Sequence, residues 1–151
     1  GRRLIITNPR KESKPDRVSL LSKDPTVGFG LTLEDPTTNG GRVRIVSLAG
    51  AFDVTREMPP AGWTLTRRGY KYRDASGTRL VIRTGKRLRM VVRGGDFALG
   101  GPAPTPIVVT LRVGAQRLCL EFPEARVKSN GRRLIAENAS PPAICDEPTG
   151  P

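Results

Sequence analysis

The residues of this chain that could do chemistry are few, and their types are lopsided. None of the 151 residues is histidine. The commonest general base and metal ligand is therefore missing, and serine–histidine and cysteine–histidine mechanisms are excluded. A polysaccharide-active site needs only two carboxylates, and Asp35, Asp53, Glu57, Asp74, Asp96 and Glu121 are the candidates for one. Each has a structural use as well. Asp35-Pro36 ends a strand in a turn, Asp74 opens a hairpin, and Asp96 follows Gly94-Gly95. No spacing pairs two of them, so no catalytic residue is assigned and the chain reads as a non-enzyme. Calcium on turn carboxylates is the one cofactor to weigh, but Asp74-Ala75-Ser76-Gly77 is too short for a dedicated loop and a type I turn explains it. Gly28-Phe29-Gly30 and Gly94-Gly95 read as turns rather than phosphate cradles.

Basic side chains offer more. Lys and Arg number 26 against 14 Asp and Glu, a formal charge of +12. A field of that size favours polyanions such as anionic polysaccharide, an envelope surface or nucleic acid. Arg42, Arg44, Arg87, Arg89 and Arg112 alternate with aliphatic residues. On strands that spacing puts them on solvent faces, which makes them the candidate anion-binding residues. Nucleic acid is the least favoured of these partners, since base stacking needs exposed rings. The chain holds one Trp, two Tyr and four Phe. Trp63, Tyr70 and Tyr72 are the candidate aromatic binding group for a carbohydrate, with Tyr70 and Tyr72 on one strand face; core packing is their other use.

Two cysteines complete the inventory, Cys119 in an expected strand and Cys145 in a Pro-rich tail. A bridge between them would pin that tail and stabilise the fold by about 3 kcal/mol, and it would imply an oxidising compartment. Two cysteines without histidine do not make a zinc site.

The elements that must position these groups are strands. Leu31–Glu34, Arg42–Ile45, Trp63–Thr66, Tyr70–Arg73, Leu80–Ile82, Leu88–Arg93, Ile107–Val113, Leu118–Phe122, Ala125–Lys128 and Leu134–Ala136 are short runs with β character. A further strand opens the chain, and residues 8–16 follow it as a polar loop. Gly, Pro, Asn and Asp separate the runs, with hairpin turns at Asp74–Gly77 and Asn130-Gly131. With 17 Gly and 14 Pro, and no apolar repeat of helical period, long helices are not expected. The expected fold is all-β, an antiparallel sandwich, with a closed barrel as the alternative. Residues 1–138 form a single β domain, and residues 139–151 are a Pro/Gly-rich tail tethered by Cys145. The longest apolar runs fall far short of the roughly 20 residues of a membrane-spanning helix.

Several stretches in order carry a resemblance: Asp35-Pro36-Thr37; Met58-Pro59 before Gly62-Trp63; Gly69-Tyr70-Lys71-Tyr72-Arg73-Asp74; Gly85-Lys86-Arg87-Leu88; Leu118-Cys119-Leu120-Glu121-Phe122; and Ala136 through Cys145. Over residues 3–146 the chain resembles an uncharacterised C-terminal module of secreted proteins of environmental bacteria, myxobacteria and their relatives. The resemblance implies export and an accessory role, supports the Cys119–Cys145 bridge, and implies no activity. Its heavy Arg content sets this chain apart from that pattern.

The leading expectation is a secreted or cell-surface binding module for anionic polymers. The alternatives are a structural subunit that assembles through strand addition at its first strand, and a carbohydrate-binding or carboxylate-based polysaccharide-active protein.

Overall fold

Period-two alternation becomes strands along most of the described residues. The computed structural model describes residues 2–8, 15–23, 35–83, 87–95, 97, 99, 104–113, 116–128, 132–137 and 139. They form β1 (Arg2–Thr7), β2 (Arg17–Ser22), α1 (Pro36–Asn39), β3 (Gly41–Ser47), β4 (Asp53–Met58), β5 (Trp63–Thr66) and β6 (Gly69–Arg73). Then follow β7 (Arg79–Arg83), β8 (Arg87–Arg93), β9 (Ile107–Val113), β10 (Gln116–Phe122), β11 (Arg126–Lys128) and β12 (Arg133–Glu137).

The strands make two antiparallel sheets. The larger has the order β11-β12-β1-β2-β8-β7-β6-β5 and the smaller β10-β9-β3-β4. Apolar inner faces of both contribute to one core, from Leu4, Leu20, Leu80, Ile82 and Met90 on one side to Val43, Ile45, Leu111 and Phe122 on the other. This is the layering of a sandwich. The barrel alternative does not hold, because neither sheet closes on itself: one ends at β11 and β5, the other at β10 and β4.

A short passage carries the chain from the small sheet to the large one. Pro60–Gly62 form a 3₁₀ turn between β4 and β5. Behind it the Trp63 indole Nε1 donates to the Met58 carbonyl at 3.0 Å. Trp63 stands opposite Tyr72, with ring centroids 5.2 Å apart. Gly62 is needed here for space, since a Cβ would come within 2.4 Å of Tyr72 Cε2 and 2.9 Å of the Arg73 carbonyl oxygen.

β1 lies between β12 and β2, so both its edges are paired and it offers no site for a neighbour's strand. Residues 17–22 and 53–58, outside the expected strands, form β2 and β4. Asp35 opens a short helix: its carboxylate accepts from the Thr37 amide at 2.9 Å and caps α1, with Pro36 at the first helical position. The expected strand at 31–34 lies outside the described residues, as do Asp96, Asn130-Gly131, Cys145 and all of the 139–151 tail except Ala139.

Candidate functional site

Alternation sorts β8 cleanly. Leu88, Met90 and Val92 are wholly buried in the core, so Arg87, Arg89, Val91 and Arg93 stand on the outer face of the large sheet. Register extends that face over its neighbours. Arg93 is opposite Arg17 of β2. Val91 is opposite Arg79 of β7, and Arg79 is opposite Arg73 of β6. Arg89 meets Val81, which meets Lys71. Arg87 meets Arg83, which meets Gly69.

Eight cations therefore share one face: Arg17, Lys71, Arg73, Arg79, Arg83, Arg87, Arg89 and Arg93. Adjacent strands lie about 4.8 Å apart and successive outward residues about 7 Å apart along a strand. Both spacings are below the Debye length of roughly 8 Å at physiological salt, so these charges feel one another. Among the described residues none of the eight has a carboxylate within ion-pair distance. Like charges placed directly opposite across strands are destabilising. Here that arrangement occurs three times, at Arg17–Arg93, Arg73–Arg79 and Arg83–Arg87.

Part of this face is concave. A groove of about 310 Å³ is lined by Arg17, Lys71, Arg73, Arg79, Arg89 and Arg93 around Val81 and Val91. Val91 is 9% exposed despite facing outward, because the long stems of its neighbours crowd over it while their heads stay in water. The Arg93 end of the groove is braced on both sides. The Asp16 carbonyl accepts from the Gly94 amide at 2.8 Å, and its carboxylate from the Phe97 amide at 3.1 Å, tying the exit of β8 to the entry of β2. The β6–β7 turn is wound around Asp74. Its carboxylate accepts from Tyr72 Oη at 2.9 Å, the Ser76 amide at 2.9 Å, Ser76 Oγ at 2.5 Å and the Thr78 amide at 3.2 Å. Gly77, at φ 89°, sits where a Cβ would lie 2.9 Å from Arg93 Cδ.

Those bonds set two titrations. Burial alone would raise the Asp74 carboxyl, but donation from Ser76, Tyr72 and Thr78 holds it below its ordinary 3.8. Tyr72 is pushed up to about 12, by burial first and then by its bond to Asp74 and that residue's charge. The calcium expectation falls on this same turn. Asp74 is engaged by four donors, and among the described residues no group of three or more acidic, histidine or cysteine side chains gathers to hold a metal.

The expected anion-binding arginines divide between the two sheets. Arg87 and Arg89 belong to the cationic face. Arg42, Arg44 and Arg112 lie on the outer face of the small sheet, where Arg42 pairs with Glu57 at 2.6 Å. Arg44 forks onto Asp53 at 2.8 and 2.5 Å, and chiefly through that bond, against the effect of burial, it lowers the Asp53 carboxyl. Asp53 and Glu57 thus act as partners of arginines. They are four residues apart on β4, roughly 13 Å, too far for either geometry of two-carboxylate glycoside cleavage. The aromatic group turns inward: Trp63 is 5%, Tyr70 6% and Tyr72 1% exposed. They support the sheet from beneath and present no stacking platform.

Cys119 also faces outward on the small sheet, opposite Thr110, yet is only 6% exposed. No cysteine among the described residues is free. The described residues contain no helix long and apolar enough to cross a membrane.

Arg17, Arg73, Arg79 and Arg93, with Lys71 and Arg83, were not singled out by sequence spacing. The available signal was the alternation of Arg79-Leu80-Val81-Ile82-Arg83 and Arg17-Val18-Ser19-Leu20, with a basic residue at an outward position. Set against protein-family models, curated proteins and solved structures, the chain finds no match in any of the three comparisons, and its functional reading rests on this surface.

Proposed function

We propose that this protein is a non-catalytic extracellular module that binds anionic polymers on the outer face of its large sheet. The observation that carries the reading is the row-by-row register that gathers eight cations on β2, β6, β7 and β8, none of them ion-paired among the described residues, while Glu137 on the far part of the same sheet is taken by Arg3 and Arg126. A surface that serves only solubility intersperses both signs, as the small sheet does with Arg42–Glu57 and Arg44–Asp53. Arginine forks suit planar carboxylates and paired oxygens of tetrahedral oxyanions such as sulfate. The extracellular setting rests on a Cys119–Cys145 bridge. Support for it is that Cys119 is not free and is only 6% exposed on an outward face.

The test compares two sets of replacements that remove equal charge. The native chain should be retained on heparin–agarose at about 50 mM salt, where screening is weak. The triple variant Arg79→Gln, Arg89→Gln, Arg93→Gln should elute at clearly lower salt. The triple variant Arg42→Gln, Arg44→Gln, Arg112→Gln should elute close to the native position. Equal shifts for both sets would mean that net charge alone is being read, and the site would be withdrawn.

A further inference from the structure

The cationic face is longer than its groove. Along β8 the outward residues run from Arg93 through Val91 and Arg89 to Arg87, six residue steps or about 20 Å. β7 runs beside it with Arg79, Val81 and Arg83. The groove takes in only the Arg93, Val91 and Arg89 rows. Beyond it lie the Arg83–Arg87 pair and then the exposed Arg67-Arg68 turn, next to Gly69, which is paired with Arg83. An isolated small anion would use one end of this array and leave the other idle.

Resting on the polyanion reading above, we infer that the ligand is a linear anionic polysaccharide laid along β7 and β8 and engaged over the full length of the track. Cations flank the path on both sides, with Arg17 on β2 and Lys71 and Arg73 on β6. Between them Val81 and Val91 give the C–H faces of sugar rings an apolar floor. A nucleic acid would gain from exposed rings on which bases stack, and none is exposed here among the described residues: Trp63 and Tyr70 are buried, and Tyr72, although it lines the groove, is 1% exposed. A lipid surface would reward exposed apolar side chains among the cations. Among the described residues the large exposed hydrophobics are Leu48, Leu65 and Val127, none of them on the outward rows of β2, β6, β7 or β8.

The experiment is calorimetric titration of the full chain with heparin-derived oligosaccharides from disaccharide to decasaccharide. Poly-dT and phosphatidylserine vesicles are run at the same salt. Affinity is expected to climb by at least about tenfold with length and then level off once the fragment spans the track. The double variant Arg83→Gln, Arg87→Gln should weaken the decasaccharide by about tenfold and leave the disaccharide unchanged, whereas Arg79→Gln, Arg93→Gln should weaken both. A melting curve for each variant checks that it folds. If the disaccharide binds as tightly as the decasaccharide while heparin is still retained on the column, the track is overturned and only a local anion site survives. Tighter binding to poly-dT or to vesicles than to the decasaccharide would overturn the polysaccharide assignment. Failure of the native chain to bind heparin at all would remove the underlying reading as well.

Discussion

Arg17 and Arg93 face each other directly across β2 and β8, two like charges at a register position where an opposite pair would stabilise the sheet. The Asp16 carbonyl and carboxylate hold the segment just past Arg93 beside Arg17 instead of letting the two strands splay. The fold thus keeps in place a contact that works against its own stability. Such a conflict between local preference and structure marks functional positions in natural proteins.

Replacing Arg17 with Glu should turn this repulsion into an exposed opposite-charge pair. The expected gain is on the order of 0.5 kcal/mol, or a rise of roughly 1–2 °C in melting temperature for a chain of this size. Heparin should bind the same variant more weakly. Urea melts and heparin elution measured together check both signs; a loss of stability, or unchanged elution, would count against the account.

The Tyr72–Asp74 bond gives stability a dependence on pH at both extremes. The folded Asp74 carboxyl lies below 3.8, so its contribution is complete above 3.8 and disappears as pH falls through the folded value. Tyr72 is raised from 10.0 to about 12, so its contribution is complete below 10.0 and is lost as pH climbs toward 12. Asp74→Asn should flatten the acid limb of the stability curve, and Tyr72→Phe the alkaline limb. Denaturation midpoints across pH measure both effects.

Gly62→Ala should be costly out of proportion to one methyl group. The added Cβ meets Tyr72 Cε2 and the Arg73 carbonyl oxygen, and overpacking of this kind costs about 1–3 kcal/mol. Gly50→Ala meets no atom within 4 Å but demands φ 86° of an alanine, a strain of on the order of 1 kcal/mol. Midpoint shifts in urea rank the two, with Gly62→Ala the larger.

Much of the fold could be read from local pattern, and much of the site could not. Leu88-Arg89-Met90-Val91-Val92-Arg93 declares its two faces by alternation, and β8 obeys it. Asp74-Ala75-Ser76-Gly77 carries turn chemistry in its residue types, and the hairpin forms there. β4 has only Val54 and Met58 as apolar anchors, so its period is too faint to see. The site depends on pairing between distant segments. Arg17 meets Arg93 because β2 and β8 are neighbours, and nothing local to either strand specifies the other. The same limit explains why Arg42, Arg44 and Arg112 looked equivalent to Arg87 and Arg89. Their spacing is alike, but Glu57 and Asp53 stand beside the first two only after β3 pairs with β4.

A Cys119–Cys145 bridge should leave the chain without reactive thiols in the absence of reductant. Cys145→Ser should then cost about 3 kcal/mol. Thiol titration of the unfolded, unreduced protein checks the first expectation and a urea melt of the variant the second.

The central claim is tested most directly by recording ¹H–¹⁵N spectra of the labelled chain during titration with a heparin hexasaccharide. The account predicts that the largest shifts fall on Arg17, Lys71, Arg73, Arg79, Arg89 and Arg93 and their strand neighbours, and that they saturate. Shifts concentrated instead on Arg42, Arg44 and Arg112 of the small sheet, or spread evenly over all exposed basic residues, would contradict it.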